Sequence, residues 1–184
     1  MIFDRFSAAR RRRRRLAEDI YVRLVNRARD GWFYDTAEVP DTVDGRFDMI
    51  VIHAHLLFRR MGALPGEGQD LAQDIFDVMF LDMDRSLREM GVGDLSVGKH
   101  VKGMARAFYG RGGAYEEGLA GGREALRRAL RENVYRNTDA SDAAVDALAS
   151  YMEDLAARLA PQPLEALTAE SGPFPPVADK EMQS

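Results

Sequence analysis

The sequence predicts an all-α fold: a single-domain bundle of five to seven helices with an Arg-rich N-terminal arm and a flexible C-terminal tail. Three observations carry this. Apolar residues recur at helical spacing over long stretches, as in Phe47, Ile50, Val51, Ala54, Leu57, Phe58 and Met61. No alternating strand pattern exceeds four residues, and there is no internal repeat. At 184 residues the chain fits one domain plus tails, expected as 1–15 arm, 16–160 helical domain and 161–184 tail. That length buries roughly two-thirds of the unfolded surface, so no staples are required.

The first helical pattern runs from about Ser7 to Arg29, with Leu16, Ile20 and Leu24 at helical spacing and Ser7 as its expected N-cap. Adjacent arginines repel each other at the positive end of the helix dipole, so firm helix is expected only from about Leu16. Gly31 stops this helix, and Trp32, Phe33 and Tyr34 read as core plugs under the turn-rich segment 35–45. Arg46–Met61 is the second helix, ended by Gly62 and Pro65-Gly66. Glu67–Met90 is the third, with Ala72, Phe76, Met79, Met83, Leu87 and Met90 in one stripe broadened by Leu71, Ile75 and Phe80. So wide an apolar face points to the centre of the bundle. Its row of Asp70, Asp74, Asp77 and Asp84 is available to a basic row on the next helix. That helix, Val97–Tyr109, has Ser96 as its expected N-cap and carries Lys99, Lys102 and Arg106 on one side. Gly110-Arg-Gly-Gly113 is read as a break, with Tyr115–Leu119 one short turn beyond it. Arg123–Val134 and Asp142–Leu159 complete the set, the latter capped by Ser141 and ended by Pro161 and Pro163. In the tail, Leu164 and Leu167 are placed to dock locally.

Charge is distributed unevenly. Residues 1–30 hold ten arginines against four acids, a net +6, which leaves −10 for the rest of a chain whose total is −4. Such an arm should meet anionic lipid, RNA or an acidic protein face. The candidate contacts are Arg10, Arg11, Arg12, Arg13, Arg14 and Arg15, with Ile2, Phe3 and Phe6 beside them. A ribosome is one such partner; specific DNA binding is not expected, because no recognition-helix motif accompanies the run. No apolar run approaches the ~20 residues that span a bilayer. The expected location is cytoplasmic, with a peripheral contact at a membrane surface.

Several chemistries are excluded by residue type. The absence of cysteine rules out disulfide partners, thiolate metal sites and Cys nucleophiles. His53 and His55 stand about 200° apart around a helix and cannot chelate one metal, and His53 reads as a satisfied histidine. None of His53, His55 and His100 follows a Glu three residues earlier, as a di-iron bundle requires. No phosphate-cradling Gly-x-x-x-x-Gly-Lys-Ser/Thr loop is present, and Gly91-Val-Gly93 follows a helix instead of a strand. No catalytic residues, cofactor or metal are expected.

From Phe76 to Tyr115 the chain is similar to the ubiquinol–cytochrome c chaperone family. The resemblance rests on an ordered series: Asp77-Val-Met-Phe80, Asp82 through Gly91, Gly93 through Lys99, Lys102-Gly-Met104, and Phe108-Tyr-Gly-Arg111 with Tyr115 downstream. It extends loosely over Trp32–Tyr135 and omits the arm and the tail. It implies a non-enzymatic chaperone that holds newly made or unassembled cytochrome b, or another bc1 component, during assembly; mitochondrial members work with a small partner protein. Met49, Met61, Met79, Met83, Met90 and Met104 offer an adaptable groove in a subset, although core filling is the favoured reading for most of them. The candidate partner-binding residues are Lys99, Lys102, Arg106, Tyr109, Arg111 and Tyr115. The last three are expected to reach outward from the break at Gly110–Gly113. Asp82 and Arg85 are the alternative, as structural ion-pair members that fix the hairpin.

Overall fold

The computed structural model describes residues 2–174, with side chains from residue 8 onward. Eight helical segments follow one another: α1 (Ile2–Ala28), α2 (Gly31–Asp35), α3 (Val43–Gly62), α4 (Glu67–Glu89), α5 (Asp94–Gly121), α6 (Arg123–Asn133), α7 (Asp142–Leu159) and α8 (Leu164–Thr168). α2 and α8 are five-residue turns, and the other six are principal helices. The described residues contain no strand, so the chain is all-α, as its periodicity predicts.

The axis of the bundle is α3. It packs on α1, α4, α5 and α7, with Met49, Val51, Ile52, Ala54, Leu56 and Leu57 all buried. Apolar residues occupy most of its circumference, which suits a helix enclosed by others. The stripe on α4 pointed instead to α4 as the central helix. α4 packs on α1, α3 and α5 and leaves Leu81 56% exposed. Thr42 begins α3 by accepting a hydrogen bond from Gly45 N–H at 3.1 Å, and Ser141 caps α7 through Ala144 N–H at 3.1 Å. Each satisfies one of the orphan donors at a helix start.

α1 begins at Ile2, not Leu16, and runs through Ser7, which is therefore not its cap. The arginine run is tolerated in part because neighbours neutralise it. Arg13 lies 2.6 Å from Asp70 and 2.5 Å from Asp74 on α4, and Arg14 lies 3.3 Å from Glu18. Tyr21 O–H donates to Asp82 at 2.9 Å, a second tie between the two helices. Asp82 is thus held by α1, and Arg85 pairs with Glu89 at 2.9 Å within α4, so neither forms an ion pair that fixes the α4–α5 hairpin. The side chains of Ile2, Phe3 and Phe6 lie outside those described.

The largest departure from the sequence reading is α5, which runs unbroken from Asp94 to Gly121. Its N-cap is Gly93, not Ser96, and Asp94 enters the first turn, where the helix dipole favours a carboxylate. Glycine in a helix costs about 1 kcal/mol relative to alanine, and packing outweighs that here. A Cβ on Gly112 would stand 3.1 Å from His55 Nδ1, and one on Gly118 would stand 2.9 Å from the Cα of Leu126 on α6. These glycines let neighbouring groups approach α5 closely, so they belong to the helix interior and do not end it.

The segment after α7 is packed as far as residue 174. Leu167 and Phe174 are buried, Arg60 donates to the Gln162 carbonyl at 2.8 Å, and Arg23 donates to the Ala169 carbonyl. The remainder of the expected tail, 175–184, lies outside the described residues.

Candidate functional site

Two features stand out along the contact of α3 with α5: an open aromatic cleft that α4 also lines, and a buried charge cluster. The cleft encloses about 500 Å³. Phe58 enters from α3, Phe76 from α4, and Phe108 and Tyr109 from α5. Phe76 is the hub, with ring centroids 5.6 Å from Phe108, 5.7 Å from Tyr109, 6.4 Å from Phe58 and 4.6 Å from Phe80. Such tilted and edge-to-face pairs favour a rigid apolar floor. Phe108 is buried, Phe58 and Phe76 are half-buried, and Tyr109 is 65% exposed. Gly112 and Gly113 keep the α5 wall low.

The rim is polar. Glu116 lies 2.9 Å from Arg59 and 3.5 Å from His55, and Gln69 and Gln73 stand opposite on α4. Burial lowers the His55 pKa against the pull of Glu116, so the ring is neutral near pH 7 and the charges at this edge are those of Arg59 and Glu116. An apolar floor with a sparse polar rim accepts apolar side chains and orients them by a few hydrogen bonds. Among the described residues, no group of three or more His, Asp or Glu could hold a metal ion.

Two turns before His55 on α3, Asp48 is 1% exposed. Arg111 of α5 lies 2.6 Å from its Oδ1, and Arg136, after α6, donates to Oδ2 at 2.8 Å. The Arg111 guanidinium also sits 5.1 Å from the Phe47 ring centroid. Burial pushes the Asp48 carboxyl up to about 6, opposed by the Arg136 hydrogen bond and the charge of Arg111. Tyr115 is fully buried in the field of Asp48, and its hydroxyl has no hydrogen-bond partner among the described groups. The cluster joins α3, α5 and the segment after α6.

The structure therefore divides the six residues singled out on α5. Lys99, Lys102, Arg106 and Tyr109 lie exposed at spacings of three and four, on one stripe. Arg111, its side chain 13% exposed, and Tyr115 turn inward to the Asp48 cluster. With no break at Gly110–Gly113, they have no edge from which to reach outward. The basic row does not face the acidic row of α4 either: Asp70 and Asp74 take Arg13, and Asp84 takes Arg88 at 2.7 Å. Two histidines fit the sequence reading. His53 is fully buried, its Nδ1–H donating to the Met49 carbonyl at 2.7 Å and its Nε2 accepting from Tyr151 O–H at 2.6 Å. His55, two residues on, is turned to Glu116.

The sequence reading missed Asp48, Arg136 and Glu116. Asp48 left a signal: it is an acid in line with Ile52 and His55 on a largely apolar helix. Arg136 and Glu116 left none, since each is one charge among many on its segment. Of the methionines offered for a groove, Met49, Met61, Met79 and Met83 are buried core, Met104 is half-buried, and Met90 is exposed.

Residues 35–174 match the family described as ubiquinol-cytochrome C chaperone. The chain belongs to the ubiquinol–cytochrome c chaperone family. Its fold is similar to the crystal structure of the Cbp3 homolog from Brucella abortus, at TM-score 0.77 and 37% identity over 91% of this chain and 93% of that one. It is 24% identical over 115 residues to ubiquinol-cytochrome-c reductase complex assembly factor 1 of Xenopus laevis, and 30% identical over 107 residues to the mitochondrial protein CBP3 of Saccharomyces cerevisiae. These matches cover 62% and 56% of this chain, but 58% of the Xenopus protein and 32% of the yeast protein. The cleft and the charge cluster lie within the family match.

Proposed function

We propose that this protein is a non-enzymatic assembly chaperone that binds newly made or unassembled cytochrome b and assists biogenesis of the ubiquinol–cytochrome c reductase (bc1) complex. The observation that carries the reading is the aromatic cleft at Phe58, Phe76, Phe108 and Tyr109, half open to solvent inside the family segment. An unassembled membrane protein exposes apolar helix faces that its partners will later cover, and a rigid aromatic floor gives them a temporary match. Tyr109 is the expected first contact, and Lys99, Lys102 and Arg106 continue its stripe. The family description and the name of the Xenopus relative support the bc1 complex as the setting. Among the described residues no helix is long and apolar enough to cross a membrane, so the protein would meet its client from outside the bilayer.

The test is a photocrosslinking residue at position 109 in cells that make the bc1 complex. Capture of cytochrome b supports the reading. Efficient capture of other proteins only, together with unchanged bc1 content after gene deletion, overturns it. The alternative is an adaptor that uses the arginine run on a ribosome or an anionic membrane. Arg13 is committed to Asp70 and Asp74 and Arg14 pairs with Glu18, while Arg10, Arg12 and Arg15 are among the exposed cations of the run. Replacing those three with Ser tests it by ribosome cosedimentation at several salt concentrations.

A further inference from the structure

The outer stripe of α5 has an order that the cleft does not explain. Leu95, Lys99, Lys102, Arg106 and Tyr109 follow at spacings of four, three, four and three, so they share one line along the helix. The line is about 21 Å long at 1.5 Å per residue. Every member is exposed, Leu95 completely and Tyr109 by 65%. Met90, in the turn before α5, is 57% exposed beside the Leu95 end. Val97, two positions on, is the residue that the first turn of α5 buries, so the fold does not require an apolar side chain at 95.

The three cations form no ion pair among the described residues, while the acids around them are engaged. Asp84 and Asp94 hold Arg88, Glu89 holds Arg85, and Asp82 accepts from Tyr21. The arginine run lies elsewhere. Arg13 meets Asp70 and Asp74 near the start of α4, and Tyr21 meets Asp82 further along it, so α1 and α4 run side by side with the arginines at the far end from the α4–α5 turn. A chain of net charge −4 is repelled on average by an anionic surface. It can approach one only through a local patch such as this.

We infer that the α5 stripe and the α4–α5 turn form a docking surface for an anionic phospholipid bilayer. Leu95 and Met90 enter the acyl boundary, Lys99, Lys102 and Arg106 meet lipid phosphates, and Tyr109 sits at headgroup depth. Apolar ends with long cations between them suit an interfacial helix, and tyrosine concentrates at that level. Nucleic acid would match the cations but not Leu95 and Met90. A basic cytoplasmic loop of a membrane protein would be repelled by them, because such loops carry excess Lys and Arg. The same stripe ends at the cleft mouth, so docking brings Phe76 and Tyr109 to the membrane surface, where an apolar client segment is presented. This last step rests on the chaperone reading; the lipid contact does not.

The experiment is cosedimentation of the full chain with phosphatidylcholine vesicles with and without phosphatidylglycerol. Binding only to the anionic vesicles is expected. With each cation contributing about 1 kcal/mol near such a surface, Lys99→Ser/Lys102→Ser/Arg106→Ser should weaken binding about a hundred-fold, and Leu95→Ser should weaken it about ten-fold. All four positions are exposed, so thermal melting should be unchanged. A Leu95→Trp variant should show quenching by brominated lipid that the native Trp32 does not. Undiminished binding of the triple variant, equal binding to neutral vesicles, or loss of binding only on Arg10→Ser/Arg12→Ser/Arg15→Ser would each overturn the assignment. So would loss of RNA binding alone in the triple variant. No client is present in this assay, so its failure leaves the chaperone reading to be decided by the crosslink at position 109.

Discussion

Removing the Arg111 side chain should strand a buried charge. Asp48 is 1% exposed and is held by Arg111 at 2.6 Å and Arg136 at 2.8 Å. Breaking a buried pair by deleting one partner costs about 3–5 kcal/mol. At pH 7 protonation caps that cost, because the Asp48 carboxyl already titrates at about 6, one unit or about 1.4 kcal/mol away. Losing the contact between Arg111 and the Phe47 ring adds about 0.5–1 kcal/mol. For a chain of this size each kcal/mol lowers Tm by about 2–4 °C, so a fall of about 4 to 10 °C is expected. Urea unfolding followed by circular dichroism at pH 7 measures the energy directly. The double variant Arg111→Ala/Asp48→Asn should be more stable than Arg111→Ala alone, since no charge is left to strand. A loss under about 1 kcal/mol for Arg111→Ala, or strict additivity in the double variant, would refute the argument.

The same carboxyl sets a pH dependence. Its folded pKa of about 6 lies above the unfolded value, so the folded state binds the extra proton. The stabilisation from Asp48 is therefore complete below about pH 4 and is lost as pH rises to about 6, at about 1.4 kcal/mol per pKa unit. His53 acts in the opposite sense. Burial lowers it to about 4, so its neutral-state stability is present above about pH 6.5 and is lost as pH falls toward 4. The two slopes oppose each other in wild type. Subtracting an Asp48→Asn variant isolates the first: wild type minus variant should decline by about 2 kcal/mol between pH 4 and 6, out of about 3 kcal/mol in all. A flat difference contradicts the assigned cause.

Three further outcomes follow from the contacts. Tyr115→Phe should leave stability within about 0.5 kcal/mol or raise it, because the deleted hydroxyl is buried without a hydrogen-bond partner; a loss above 1 kcal/mol by urea unfolding would reveal a bond that the cluster hides. Tyr151→Phe should cost about 1–2 kcal/mol, since His53 Nε2 then loses its donor in a fully buried site, and chemical denaturation reads this. Tyr109→Ser should reduce client capture several-fold with Tm unchanged, its ring being 65% exposed; a matching fall in Tm would assign Tyr109 to the core instead of the binding surface.

Periodicity located most of the helices because burial of an apolar stripe is a local property of the chain. α4, α6 and α7 lie where their stripes put them, Ser141 caps α7, and Phe33 goes into the core beneath the loop. The ordered motif from Phe76 to Tyr115 was enough to indicate the family. Lys99, Lys102, Arg106 and Tyr109 could be placed on one stripe by spacing alone, because a helix turns by a fixed angle per residue.

What the sequence could not settle depends on contacts between segments far apart in the chain. Gly110–Gly113 has the local chemistry of a stop, yet α5 continues, because Gly112 and Gly118 admit His55 and α6 more closely than any other residue would. Arg111 and Arg136 look like ordinary surface cations until α3 brings Asp48 between them. Glu116 looks solvated until it reaches Arg59 and His55. Composition and period thus determined the fold class, the main helices and the shared side of Lys99, Lys102 and Arg106. Only the tertiary structure decided that α3 is the axis, that Arg111 and Tyr115 belong to the interior, and that Phe58, Phe76, Phe108 and Tyr109 form one cleft. A helix fixes which residues share a face, whereas packing decides which faces meet.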